Sequence, residues 1–182
     1  MAKTKWVVDP THSELGFKIK HLMITHVSGV FKQFEVTAET DNENFETASI
    51  QLSASMNSLT THNEQRDEHL RNGDFFDTEK FPELTFKSGK VEKTGEDEFT
   101  VYGDLTMKGI TKPVKLQVEY SGVTKDPWGG ERAGFTISGK IKRSDWGISF
   151  NKVLETGGVA LAEDVKIQSE IQLVKQAVSV AA

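Results

Sequence analysis

The chain has no cysteine among its 182 residues, which excludes disulfide bonds, thiolate metal sites and thiol catalysis. Long hydrophobic runs are also missing, since every apolar segment is far shorter than the roughly 20 residues that a membrane-spanning helix needs. No block of lysine or arginine is present and the formal net charge is −5, a composition that argues against nucleic-acid binding. We therefore expect one globular domain over residues 1–182, with no transmembrane segment and no nucleic-acid partner.

The N-terminal segment MAKTKWVVDP carries positive charge, but no apolar run follows it. A secretory signal peptide needs an apolar stretch of about seven residues or more at this place. For the chain as given, we expect a cytoplasmic location.

Alternation of apolar and polar residues is the dominant pattern and predicts β-strands that bury one face. Eight segments show it: 15–19, 34–38, 50–56, 84–86, 99–107, 114–120, 133–141 and 165–173. Turn-forming stretches such as KTGED and KDPWGG separate them. Eight consecutive antiparallel strands favour an all-β up-and-down barrel, because closure removes exposed sheet edges. A two-sheet sandwich is the alternative.

The expected inward positions mix large and small side chains: Phe17, Phe34, Phe86 and Phe135 with Ala54, Gly103 and Gly139. An eight-stranded barrel is either filled by its side chains or open enough for one small ligand. The pattern alone is compatible with both.

One polar segment, SLTTHNEQRDEHLRNGDFFD at residues 58–77, interrupts the strand pattern. Thr61 and Glu64 have the spacing of a capping box, which predicts a helix that begins at His62. Asn72-Gly73 predicts its end near Arg71. The sequence thus predicts a short helical insertion near residues 61–79.

No metal site or catalytic group is predicted. His62 and His69 lie seven residues apart, about 10.5 Å along a helix, which is too far for both to bind one zinc ion. Neither an HExxH motif nor a GxSxG nucleophile elbow occurs.

Five segments form a recognisable series: WVVDPTHSELGFKIKH at 6–21, VSGVFKQF at 27–34, RDEHLRNGDFFDTEKFPELTFKS at 66–88, YGDLTMKGITKPV at 102–114 and RSDWGIS at 143–149. In order and spacing they resemble the YceI-like, or polyisoprenoid-binding, family. The resemblance implies a lipocalin-like barrel with a long apolar channel, an isoprenoid or similar long-chain amphipathic lipid as ligand, and commonly a homodimer. Many members of this family resemble exported proteins with a signal peptide.

From the strand pattern and this resemblance we expect a non-catalytic carrier or storage protein for such a lipid, without any other cofactor. Ten apolar residues are predicted to form the channel wall: Phe17, Ile19, Phe34, Leu52, Phe86, Val101, Leu105, Phe135, Ile137 and Ile141. Arg66 and Trp146 are predicted near a mouth of the channel. Two alternatives stay open: an enzyme acting on an isoprenoid or other amphipathic substrate in the same channel, and a structural module with a filled barrel.

Two further expectations concern the helical insertion. Arg66 either binds the ligand head group or ties the helix to neighbouring groups, and we favour the second role because Asp67 is adjacent to it. Phe75, Phe76 and Phe81 lie outside any alternating strand, and we expect them to form the contact surface of a homodimer.

Overall fold

The computed structural model describes residues 3–22, 24–151 and 161–176. Within these residues the chain forms eleven β-strands and one α-helix. The strands are β1 Lys3–Val8, β2 Glu14–His21, β3 Thr25–Phe31, β4 Phe34–Asp41, β5 Asn44–Ser55, β6 Leu59–Thr60, β7 Glu83–Gly95, β8 Glu98–Met107, β9 Ile110–Lys125, β10 Glu131–Lys142 and β11 Leu161–Lys175. The helix α1 is Glu64–Arg71, and one-turn 3-10 helices lie at Pro10–His12, Met56–Ser58 and Arg143–Trp146.

Eight strands close a barrel in the order β1, β4, β5, β7, β8, β9, β10, β11 and back to β1, with antiparallel pairing throughout. The last strand, β11, is long enough to pair with two partners at the seam. Its C-terminal residues pair with β1, and residues 161–170 pair with β2. The predicted eight-stranded antiparallel barrel is therefore confirmed.

The three additional strands arise because the first three long strands are bent. β1 continues into β2, β3 into β4, and β5 into β6, so that β2 pairs with β3 and β3 pairs with β6 beyond the bends. Seven of the eight predicted segments coincide with barrel strands, apart from Met56, which lies just past the end of β5, and the eighth, 15–19, lies on β2, the continuation of β1. The sequence pattern did not predict β1, β3 and β6 separately.

Asp9 fixes the first bend. Its carboxylate accepts hydrogen bonds from the amide and the hydroxyl of Thr11, at 2.9 and 2.6 Å, and from Nη1 of Arg132 in β10, at 2.5 Å. Hydrogen bonds from Thr11, His12 and Arg132 hold the pKa of Asp9 well below its ordinary value. The bend is thereby anchored to a strand on the far side of the seam.

The barrel has two different ends. The closed end contains the turns at residues 42–43, 96–97 and 126–130, together with Lys3 and Lys175. The mouth contains Leu22, Ile24 and residues 61–82, 108–109 and 143–151. In the part of the chain that the structure describes, no helix is long and apolar enough to cross a membrane.

Candidate ligand-binding site

A cavity of about 450 Å³ lies inside the barrel. Its size is within the range of about 300–1,000 Å³ typical of small-molecule sites. Its wall is formed by apolar side chains of β2 and of seven barrel strands, β4, β5 and β7 to β11. Among them are Leu15, Ile19, Val36, Ile50, Leu52, Val91, Val101, Leu116, Val118, Ile137, Ile141 and Ile167. The interior is open, so the structure favours the ligand-cavity interpretation over the filled barrel.

Two phenylalanines leave space in the lumen because they lie flat against glycines of neighbouring strands. A Cβ atom on Gly29 would lie 2.4 Å from Cζ of Phe17, and one on Gly103 would lie 2.5 Å from Cζ of Phe86. Such distances are possible only where the side chain is a hydrogen atom. Both rings therefore line the wall instead of crossing the lumen.

Aromatic side chains seal the closed end. The ring of Phe45 lies 5.0 Å from those of Trp6 and Phe135 and 5.3 Å from that of Tyr120, between ring centroids. Trp6 is fully buried and donates its indole N–H to the hydroxyl of Thr40, at 3.1 Å. A ligand chain that enters at the mouth would therefore end against this aromatic cluster.

At the mouth, the segment 61–82 fills the space between β6 and β7, for which the described pairings include no direct ladder. The predicted capping box is wrong. Asn63 is the N-cap, and its side chain accepts the amide of Arg66 at 3.0 Å, so the helix begins at Glu64 instead of His62. The reason is that Thr61 has another partner. The predicted end at Arg71 is confirmed, although Asn72 has an extended conformation.

Asp67 organises this segment from a buried position. It accepts hydrogen bonds from the amide and the hydroxyl of Thr61, at 2.8 and 2.5 Å, and from the hydroxyl of Thr60, at 3.1 Å. Burial opposes ionisation, but the hydrogen bonds from Thr61 and Thr60 outweigh it and lower the pKa of Asp67. Arg66 binds the same threonine, with Nε 2.7 Å from its hydroxyl and Nη2 2.7 Å from its carbonyl. Arg66 thus lines the cavity in an orientation fixed by Thr61.

A second arginine fixes the opposite side of the mouth. Arg143 is only 4% exposed and donates from Nη1 to the carbonyls of Ile148 and Phe150, at 2.9 and 2.8 Å. Its Nε donates to the carbonyl of Ala162 at 3.0 Å. Burial lowers its pKa, and the nearby carboxylate of Glu163 acts against this effect. An arginine keeps its charge in proteins, so a buried cation faces the cavity here.

A cluster of three rings joins the two sides of the mouth. The imidazole of His69 lies 5.0 Å from the ring of Phe75 and 5.1 Å from that of Phe150, and these two rings are 5.3 Å apart. Nε2 of His69 lies 2.9 Å from a carboxylate oxygen of Asp74. The helix α1 and residues 148–150 are thus in direct contact above the lumen.

Polar groups of the lining are concentrated at the mouth: His21, Thr61, Arg66, His69, Arg143 and Asn151. Deeper in the barrel, the hydroxyl of Ser169 is occupied by the amide of Gly16, at 3.2 Å. Among the described residues that line the cavity, none is an aspartate or a glutamate. The site is therefore an apolar tube whose charged groups, all at one end, are positive.

Ten of the twelve predicted site residues line this cavity: Phe17, Ile19, Leu52, Arg66, Phe86, Val101, Leu105, Phe135, Ile137 and Ile141. The structure corrects the positions of Phe34 and Trp146. Phe34 follows the bend between β3 and β4. The inward-facing residues have odd numbers before this bend, as Phe31 does, and even numbers from Val36 onward in β4. Phe34 packs against the core without lining the cavity. Trp146 is 1% exposed and donates its indole N–H to the carbonyl of Leu105 at 3.0 Å, so it anchors the 143–151 segment from outside the lumen.

Several lining residues were not predicted from the sequence. Phe75 and Phe76 line the cavity, and Phe81 packs over Gly109, so the three do not form the exposed contact surface that we expected. His69 and Phe150 were also missed. In the sequence, these positions were indicated only by the two phenylalanines in the otherwise polar stretch GDFFD. Since the segment has no periodicity, its sequence does not show which side chains face the cavity.

The model of the YceI-like domain matches residues 6–173 of this chain. The chain belongs to the YceI-like family. A UPF0312 protein of Staphylococcus aureus is 43% identical over 170 residues, which are 93% of this chain and 96% of that relative. The crystal structure of the Campylobacter jejuni YceI protein is 33% identical, with a TM-score of 0.75, and the match covers 88% of this chain and 91% of that one.

Two solved structures of lower sequence identity have a similar fold. BcnA of Burkholderia cenocepacia matches with a TM-score of 0.79 at 22% identity, over 91% of this chain and 98% of that one. A polyisoprenoid binding domain from Saccharophagus degradans matches with a TM-score of 0.66 at 16% identity, over 94% and 98% of the two chains. At these identities the likeness concerns the fold.

Proposed function

We propose that this YceI-like protein binds one long-chain amphipathic lipid in the barrel and carries or stores it without chemical change. The observation that supports this most directly is the separation of the apolar wall of the cavity from a polar lining at the mouth, where Arg66 and Arg143 are its charged groups. Moving an apolar chain from water into the cavity is favourable by about 25 cal/mol per Å² of buried area. The polar groups at the mouth would then orient the head group.

An isoprenoid is the first chain to test, since the Saccharophagus structure is described as a polyisoprenoid binding domain. Branched chains of this kind match a lumen lined mainly by valine, leucine, isoleucine and phenylalanine. The predicted contacts of the twelve site residues with ligand belong to this proposal. For Phe34 and Trp146, only indirect effects through packing are expected.

The non-catalytic role is part of the proposal. Our alternative was an enzyme acting on an amphipathic substrate, which a carboxylate or histidine with a strongly shifted pKa in the cavity would favour. The described lining residues offer no carboxylate for this role. The homodimer and the cytoplasmic location stay predictions, and a monomer mass in light scattering at micromolar concentration would contradict the first of them.

The direct test is mass spectrometry of an organic extract of the purified protein. We expect an amphiphile with a long hydrocarbon chain at close to one molecule per subunit. An extract without such a molecule, together with no uptake of an added prenol by delipidated protein, would refute the proposed function.

The role of Arg66 is tested with Arg66→Ala and with Arg71→Ala as its control. Arg71 lies on the same helix and is not part of the cavity lining. Because Arg66 binds Thr61 through two hydrogen bonds, we expect its loss to reduce stability. If Arg66 also binds an anionic head group, affinity for a prenyl phosphate falls by about tenfold to 150-fold in Arg66→Ala alone.

A further inference from the structure

The hairpin of β2 and β3 presents exposed apolar side chains at its tip. The amide of Ile24 donates to the carbonyl of His21 at 3.2 Å, which closes a tight turn. Ile24 is 78% exposed and Leu22 is 40% exposed. Exposed large apolar side chains on the same turn are candidates for a binding surface.

The conformation of Leu22 makes this tip unusual. Its φ is +53°, a region in which turns normally have glycine, asparagine or aspartate because a Cβ atom is disfavoured there. Leu22 is not part of the hydrophobic core, and its backbone conformation is unfavourable for a leucine. An uncommon backbone conformation that displays an apolar side chain points to a role in binding.

Lysines accompany the tip on the outer face of the barrel. Lys18 and Lys20 point outward from β2, and Lys20 is paired with His26 across the hairpin. Lys18 lies beside Lys166 of β11, which lies beside Lys140 of β10. The nearest acidic side chain recorded in contact with this row is that of Asp164, 3.6 Å from Lys140. The row is thus locally positive in a protein whose net charge is −5.

The opposite end of the barrel carries charges that are mostly ion-paired. Its turns and strand ends contain six acidic residues, Asp41, Glu43, Glu96, Asp97, Asp126 and Glu131. Asp41 pairs with Lys3, Asp126 with Arg132, and both glutamates Glu43 and Glu131 with Lys175. Trp128 is 84% exposed in one of these turns, where the carboxylate of Asp126 accepts its amide at 2.9 Å. Exposed apolar surface is therefore present at both ends. The cation beside the Trp128 turn, Arg132, is paired with Asp126, whereas Lys18 and Lys20 beside the β2–β3 tip form no ion pair within the described residues.

We propose that the tip of the β2–β3 hairpin docks the protein on the surface of an anionic lipid bilayer. Ile24 and Leu22 insert into the interface, and the lysine row contacts the acidic head groups, as in other peripheral membrane anchors. His21 and Val27 of the same hairpin line the cavity, so docking brings the mouth to the bilayer. The biological meaning of this surface, lipid transfer to or from the cavity, rests on the proposed function.

Vesicle co-sedimentation tests the apolar part of the proposal with the full-length protein. We expect binding to phosphatidylcholine vesicles that contain about one third phosphatidylglycerol. Ile24→Ser weakens this binding by about tenfold or more, because one large apolar side chain no longer leaves water. Trp128→Ser is the matched control, and its binding equals that of the wild type. Equal losses in both variants, or none in either, would overturn the proposal.

The charged part is tested with Lys18→Gln/Lys20→Gln. Each lysine near an anionic surface contributes about fivefold to binding, so the double variant binds about 25-fold more weakly. The control Lys93→Gln/Lys125→Gln has the same net charge but lies toward the closed end, and it binds like the wild type. Pure phosphatidylcholine and high salt both reduce wild-type binding, whereas binding that is insensitive to both contradicts the role of the lysines.

Two further outcomes separate this inference from other interpretations. If wild-type protein ignores the vesicles and forms a dimer that Ile24→Ser abolishes in light scattering, the tip is a contact between copies of the chain and the docking proposal fails. Vesicle binding by a protein whose organic extract holds no amphiphile and which takes up no added prenol supports docking and refutes the proposed cargo. A lipid-loaded protein that does not bind vesicles refutes docking alone.

Discussion

Replacing Val101 by phenylalanine should stabilise the ligand-free protein and at the same time block the site. Val101 lies on β8 between Val91 and Leu116, and all three residues line the cavity. A larger side chain at this position grows into empty space. In a filled barrel the same change would be destabilising, so the sign of the effect distinguishes the two interiors.

The expected gain is modest but measurable. Phenylalanine at this place buries roughly 50–80 Å² more apolar surface than valine, which corresponds to about 1–2 kcal/mol in the free energy of unfolding. For a domain of this size, the melting temperature rises by about 2–8 °C. Overpacking of a filled core costs about 1–3 kcal/mol instead.

Val8→Phe is the matched control, since Val8 is buried on β1 but does not line the cavity. The assay is urea unfolding of delipidated protein, followed by mass spectrometry of extracts from protein purified without delipidation. We expect Val101→Phe to be more stable than the wild type and to retain little amphiphile, and Val8→Phe to be less stable. A loss of 1 kcal/mol or more in both variants would show that the lumen is filled in solution.

Three further substitutions probe the wall and the mouth. Gly29→Ala should lower the amount of bound amphiphile at least severalfold, because the new Cβ atom displaces the ring of Phe17 into the lumen. The measurement is mass spectrometry of organic extracts, and Gly89→Ala is the control because a Cβ atom at Gly89 has more room. Asp67→Asn should cost about 1–3 kcal/mol at neutral pH. The folded-state pKa of Asp67 is lowered, so the contribution of its carboxylate to folding stability is complete above about pH 4. This contribution is lost as the pH falls through the folded-state pKa. The difference in stability between the wild type and Asp67→Asn must therefore shrink on acidification. Arg143→Met leaves three main-chain carbonyls without their donor and should lower the free energy of unfolding in urea by about 2–4 kcal/mol. A loss below about 0.5 kcal/mol, which is less than the roughly 1 kcal/mol typical of one hydrogen bond, would contradict the anchoring role.

The barrel was predictable from the sequence because alternation reports directly which residues face inward. The bends were not, since they depend on long-range contacts such as that of Asp9 with Arg132. In β3, Gly29 occupies an inward position and hides the alternation between Val27 and Phe31. The sequence around such a glycine does not reveal which aromatic ring of the neighbouring strand packs against it.

The mouth was less predictable than the wall for a related reason. Thr61 and Glu64 satisfy a local capping rule, but the tertiary contact of Thr61 with Asp67 takes precedence and moves the N-cap to Asn63. The sequence excluded a zinc ion shared by His62 and His69 but did not indicate that His69 lines the cavity, and the structure places its ring between those of Phe75 and Phe150. Segments of this kind are positioned by the rest of the fold and contain little local information about their orientation.

An open lumen has a consequence for stability that connects the fold with the proposed function. The wall residues lose the packing contacts that a filled core would provide, and a bound lipid restores them only while it is present. A ligand at 100 times its dissociation constant stabilises the folded protein by about 2.7 kcal/mol. Protein purified with its lipid should therefore melt at a higher temperature than the same protein after delipidation, and adding the extract back should restore the difference. In Val101→Phe the phenylalanine side chain occupies the space that the lipid would take. Removing the lipid and adding the extract back should therefore leave the melting temperature of this variant unchanged. An equal response of both proteins to the extract would mean that the lipid binds elsewhere than in the barrel.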